Sequence, residues 1–212
     1  METRKRPSIK LTGGPHGIPR AVVHEVQRGR LLDALAVVIA EEGYLDTTVH
    51  KILRRAGISR RTFYEIFTDK EDCFLAAYQE AADHILVLVQ RACQLGGSPE
   101  ERIENGLRAM LDFAEREPQV ARMCVVEVMA AGDKGRQRRA KTMERLTGLA
   151  ADALEERCET ADESLLRARV LTGGVHEIVY GALCRGEVGG LCDLAEEVVA
   201  SHLARPEAVH GR

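Results

Sequence analysis

Tryptophan is absent from these 212 residues, and Phe and Tyr number four each. A core with so few rings is built mainly from Leu, Val, Ala and Ile, which favours helices over sheets. No apolar run approaches the roughly 20 residues that span a bilayer, and no apolar signal segment follows the basic start METRKRP. A cytoplasmic protein with no membrane partner is expected. CxxC pairs are missing too: Cys73, Cys93, Cys124, Cys158, Cys184 and Cys192 are dispersed, with no His at ligand spacing. Neither a metal site nor a secreted disulfide framework is expected, and small core thiols are preferred over a redox switch. GxSxG and phosphate-binding glycine loops are lacking, and His176-Glu177 has no second His to complete a zinc-protease motif. No catalytic residue and no cofactor is therefore assigned.

Charge is present but uneven. Residues 1–70 hold 13 Lys and Arg against 8 Asp and Glu, whereas the rest hold 17 against 25, within a net charge of −3. A basic head on an acidic body directs a polyanion to one end of the molecule. The head contains the stretch TTVHKILRRAGISRRTFYEIFTDK, residues 47–70. Thr47 or Thr48 caps a short helix that stops at Ala56-Gly57, where glycine supplies a left-handed turn. Ser59 caps a second helix with Arg60, Arg61 and Thr62 in its first turn and Phe63, Ile66 and Phe67 on its inner face. Two short helices joined by a glycine turn make a helix-turn-helix, whose second helix enters a DNA major groove. In that position Arg60, Arg61 and Thr62 reach base edges, Arg being the usual bidentate reader of guanine.

Arg30-Leu31-Leu32, Ala34, Glu42-Gly43-Tyr44, Thr47-Thr48-Val49, Ile52, Ala56-Gly57-Ile58-Ser59, Thr62-Phe63-Tyr64, Phe67 and Lys70-Glu71-Asp72 resemble, in order and spacing, the DNA-binding domain of the TetR family of transcriptional regulators. The resemblance covers roughly residues 28–75. It implies that Thr48, Tyr64 and Lys70 contact phosphates, which fix register rather than sequence. Ile66 departs from the pattern, since the family often places a polar or aromatic phosphate contact there. The resemblance also implies a repressor of a pseudo-palindromic operator, acting as a homodimer through its last two long helices.

The expected fold is all-α, about nine helices: a three-helix helix-turn-helix domain at 25–70 and a helical effector-binding and dimerisation domain at 71–205. Residues 1–24, rich in Gly, Pro and basic side chains, read either as an arm that follows phosphates or as a solvated tail; residues 206–212 read as a disordered tail. Tyr44 and Leu45 are expected to plug the seam of the head. A helix over 119–131 is apolar all round from Met123 to Ala131 except at Glu127. That carboxylate needs a partner, and an ion pair with Arg116, Arg167 or Arg169 is preferred over recognition of an effector. The functional alternative places Glu127 in an effector cavity with Met110, Phe113 and Met123. His176 and Tyr180, four residues apart, face that cavity or a dimer seam. The basic run Lys134, Arg136, Arg138, Arg139 and Lys141 reads as a solvated helix face. Gly173-Gly174 lies within the helix expected at 162–186, where each Gly costs about 1 kcal/mol relative to Ala. Close approach of another helix would offset the cost, and a helix break is the alternative. The functional expectation is a DNA-binding regulator, a homodimer through residues 162–204, released by a small, largely apolar effector. A helical interaction or redox-sensing module without specific DNA binding is the alternative.

Overall fold

The computed structural model describes residues 19–203; the tail at 206–212 and the arm up to residue 18 lie outside the described residues. Helix α1 (Arg20–Glu42) begins four residues before the expected end of the arm. Leu31, Leu32, Leu35, Val38 and Ile39 form its buried stripe, and Gly43 ends it at φ 81°. Tyr44 then turns inward and meets Phe74 edge-on at 4.8 Å between ring centroids. Leu45 does not join it. At 76% exposure it sits at the tip of the turn, because only one side chain of the pair can face the seam.

Thr48 caps α2 (Val49–Ala56) by accepting from the Lys51 N–H, and Gly57 closes it in the left-handed region, φ 62° and ψ 41°. Ser59 caps α3 (Arg60–Ile66) in the same way at Thr62. Helices of eight and seven residues are too short to persist alone. Full burial of Ile52 and Phe63 holds them, each such side chain contributing about 1.5–3 kcal/mol. Asp69 caps α4 (Lys70–Cys93), whose first half supplies Phe74, Tyr78, Ala81 and Ala82 to the core of the head.

The body continues with α5 (Pro99–Arg116), opened by a reciprocal capping box between Ser98 and Glu101. Next come α6 (Pro118–Val125), a 3-10 turn at Glu127–Ala131, and α7 (Gly132–Leu154). The single helix expected over 119–131 is thus broken at Val126. After a 3-10 turn at Glu155–Arg157, α8 (Ala161–Arg185) runs unbroken through Gly173-Gly174. A last 3-10 turn, Leu191–Asp193, leads to α9 (Leu194–Leu203), which packs along α5. Helices α5, α8 and α9 share a second core around Leu111, Leu154, Leu171, Val175 and Ala195. Among the described residues there are nine α-helices and no strand, and the fold is all-α, a helix-turn-helix head followed by a helical body. No helix among them is long and apolar enough to cross a membrane.

Candidate DNA-binding head and effector cavity

The capped start of α3 sets out the cationic face of the head. Arg60, Arg61 and Tyr64 are exposed on it, and the Arg60 guanidinium lies 5.6 Å from the centre of the Tyr64 ring. Arg61, 87% exposed, bonds Glu65 through Nε at 3.0 Å, which aligns it along the helix. Thr62 is half-buried, and its hydroxyl shares a 2.9 Å bond with the Ser59 hydroxyl. Thr48 is exposed at the cap of α2. Lys70 reaches back from α4, donates to the Tyr44 carbonyl at 2.8 Å and stands 4.2 Å from the centre of that ring. Burial lowers the Lys70 ammonium below its ordinary pKa, with Asp46 opposing. Ile66 packs against the core of the head.

In the body, a cavity of about 90 Å³ opens between α4, α5, α6, α7 and α8. Of the residues expected there, Met110, Phe113 and His176 line it. Met123, Glu127 and Tyr180 do not. Met123 is fully buried in the core of the head, and Tyr180, one turn beyond His176 on α8, is exposed. Arg139, taken in the sequence for part of a solvated face, is in the wall. A signal for it existed: Arg139 stands four residues before Met143, seven before Leu146 and eleven before Ala150, in register with the apolar stripe of α7. A terminal nitrogen of Arg139 lies 3.1 Å from His176 Nε2, so the imidazole accepts there and carries its proton on Nδ1. Burial first, and the Arg139 charge second, hold His176 below its ordinary pKa, with Glu177 opposing. Burial pushes the Tyr78 phenol up to about 12; its hydroxyl is bonded to Thr142.

Glu127 is committed elsewhere. Its side chain, 12% exposed, accepts the Tyr44 backbone N–H at 2.9 Å and lies 3.5 Å from Arg122. The partner is therefore Arg122, one turn before the break at Val126, rather than Arg116, Arg167 or Arg169. A contact with the head, invisible in local spacing, accompanies the break in the helix. Arg122 also donates to the Leu183 carbonyl at 3.0 Å, so one guanidinium touches the last turn of α8 and the carboxylate that holds the head. Three others of the basic run on α7 are paired rather than simply solvated: Lys134 with Glu71 at 2.8 Å, Arg138 with Gln79, and Arg136 with Asp133. Farther along α7, Arg145 meets Asp83 at 3.0 Å. Among the thiols, burial pushes Cys73 and Cys124 up to about 12, which keeps both protonated and unreactive.

Residues 31–77 match the profile of the bacterial regulatory proteins, tetR family, a span that runs from α1 to the first third of α4 and includes the whole helix-turn-helix. The HTH-type transcriptional activator FasR of Mycolicibacterium smegmatis is 27% identical over 121 residues, 57% of this chain and 55% of that protein. Residues 31–77 form a TetR-family DNA-binding head. The chain thus spans about half the length of that regulator. Solved TetR-like folds superpose over most of the chain. The fatty acid degradation regulator FadR of Bacillus halodurans is 19% identical with a TM-score of 0.75, covering 95% of this chain and 100% of its own. FadR of Bacillus subtilis, solved in complex with stearoyl-CoA, is also 19% identical, with a TM-score of 0.73 over 83% of this chain and 97% of its own. At that identity the likeness concerns the fold. The matched profile is that of bacterial regulatory proteins, and the head of this chain has their DNA-binding helix-turn-helix.

One more surface of the chain bears on function. Leu166 and Val170 of α8 are 63% and 60% exposed, and Gly173, Gly174 and Ile178 continue the same face. A Cβ added at Gly173 or Gly174 would meet nothing within 4 Å. Among the described residues no helix makes the close approach that would offset two glycines.

Proposed function

We propose that this protein is a cytoplasmic repressor that binds a pseudo-palindromic operator as a homodimer and releases it when a small, largely apolar effector fills the body cavity. The observation that carries the reading is a shared wall: Tyr78, Ala81 and Ala82 of α4 belong both to the core of the head and to the lining of the cavity. A molecule that enters the cavity presses on the residues that seat the head. Residues 25–70 act as the DNA-binding unit and 71–205 as the effector-binding and dimerisation unit. Arg60, Arg61 and Thr62 read base edges, while Thr48, Tyr64 and Lys70 fix register on phosphates. The dimer forms through residues 162–204, with the exposed face of α8 at its centre, where a second copy supplies the missing neighbour of Gly173 and Gly174. Two recognition helices then enter successive major grooves about 34 Å apart. The effector acts by preferring a spacing of the heads that does not fit the operator, since only differential affinity shifts such an equilibrium. That the same fold occurs in FadR in complex with stearoyl-CoA supports an apolar occupant of the body.

Selection of random duplex DNA by the purified protein at near-physiological salt tests the reading. An enriched palindrome with half-sites one helical turn apart is expected, and binding that vanishes with salt for every sequence alike would refute it.

A further inference from the structure

The effector reading leaves one charge in the cavity without a counterpart. Most of the lining is apolar, and its hydroxyl groups are satisfied within the protein: Thr172 donates to the Ala168 carbonyl at 2.7 Å, and Thr142, bonded to Tyr78, donates to the Arg138 carbonyl at 3.1 Å. Arg139 is the exception. Its Nε is buried with no hydrogen-bond partner, and its one side-chain partner is the imidazole of His176. Among the described residues no carboxylate lies within ion-pair distance of it, although its neighbours on α7 at positions 134, 136, 138 and 145 all have polar partners. A guanidinium is never deprotonated in a protein, and His176, held neutral, cannot offset its charge. A cation partly withdrawn from water is normally matched by an anion. None of the described residues supplies one to Arg139.

On the far side of Met110, Leu146 and Thr172, which line both spaces, a second cavity of about 40 Å³ continues between Val89, Ile103, Leu107 and Leu171. It contains no charged group. The two spaces together are in the size range of an engineered cavity of about 150 Å³ that binds benzene, and so suit a chain of roughly six to eight carbons.

We infer that the effector is a carboxylic acid with an apolar tail, its carboxylate received by the Arg139 guanidinium beside His176 and its tail directed past Met110 and Leu146 towards α5. This rests on the effector reading above and narrows it to one chemical class. Arg suits this role because its planar N–H edge matches a carboxylate, which an alcohol or an ester cannot reproduce as an anion.

Calorimetric titration of the full-length protein with octanoate, 1-octanol, methyl octanoate and octanoyl-CoA tests the inference. Octanoate is expected to bind at least tenfold more tightly than octanol or the ester. Arg139→Gln should remove that advantage while octanol binding stays within about twofold, and Arg139→Lys should keep part of it. The comparison of probes on the unaltered protein stands even if a variant fails to fold. Equal affinity for octanoate and octanol, a preference for octanoyl-CoA over octanoate, or unchanged octanoate binding by Arg139→Gln would each overturn it. Failure of all four probes would overturn both this inference and the apolar-effector reading. Octanoate bound at Arg139 without release of the operator would overturn the release mechanism alone.

Discussion

At the scale of single residues, the proposed function gives Arg61 and Lys70 two different ways of meeting DNA. Arg61 is bonded to the protein through Nε, which leaves its terminal nitrogens for a guanine edge, whereas Lys70 spends one of three donors on the Tyr44 carbonyl and keeps two for a phosphate. Arg61→Ala should therefore relax base preference at one position of each half-site, with a loss of about 1–3 kcal/mol on the preferred base. Lys70→Ala should weaken all sequences alike and reduce the salt slope by about one. A base-substitution scan with the opposite pattern would reverse the two roles. Glu127 makes a different case. Its need for a partner was legible from one carboxylate in an apolar run, but its partners were not: Arg122, five residues back, falls on another face of an unbroken helix, and Tyr44 lies 83 residues away in sequence. Glu127→Gln retains an acceptor for the Tyr44 N–H and loses the charge beside Arg122. A loss of about 1 kcal/mol in urea unfolding is expected, Arg122 being partly exposed, with effector binding intact. Unchanged stability with abolished effector binding would return Glu127 to the cavity.

Whole elements were legible where their determinants are local. The caps at Thr48, Ser59 and Asp69, the left-handed glycine at 57 and the capping box at Ser98 each sit within four residues of what they terminate or begin, so helices α2 to α5 follow from short spacing alone. The break after α6 was not legible, since the contacts around it join the body to the head. Arg139 escaped for another reason: a run of basic residues suggests a solvated face, and only its register with the apolar stripe of α7 separates it from its neighbours. Helix α8 lies between these cases. Its two adjacent glycines implied a close neighbour, and the described residues of the chain supply none. In a monomer, Gly174→Ala would raise helix stability by about 1 kcal/mol, because the added Cβ has open space. In a dimer seated on that face the same space is occupied. Gly174→Leu should raise the dimer dissociation constant at least tenfold by sedimentation, with helical content unchanged. A stable dimer from that variant would move the interface off this face.

Across the whole molecule, the head is tied to the body by two separable routes. One runs along α4 and α7, where Glu71 meets Lys134 near the head and Asp83 meets Arg145 beside the cavity. The other passes through α6: Arg122 holds the Leu183 carbonyl at the end of α8 and stands beside Glu127, which accepts from Tyr44, whose own carbonyl is held by Lys70. Ala121, Cys124 and Val125, which flank Arg122 in the same two turns, line the cavity. A molecule that displaces this short helix therefore moves the residue that connects α8 to the head. The second route runs through a helix whose own residues line the cavity, so it should carry the larger share of the coupling that the proposed function requires between cavity and operator. Arg122→Met keeps the length of the side chain and removes both contacts. It should leave effector affinity in the absence of DNA within about threefold while the ratio of operator dissociation constants, with and without effector, falls about tenfold, within the usual 1–3 kcal/mol range of coupling energies. Fluorescence anisotropy on a labelled operator, titrated at zero and saturating effector, measures that ratio directly. By linkage the operator must weaken effector binding by the same factor, which gives an independent check on the same variant. A ratio unchanged from the unaltered protein would assign the coupling to the ion pairs between α4 and α7, and Lys134→Ala with Arg145→Ala would then be the variant that loses it.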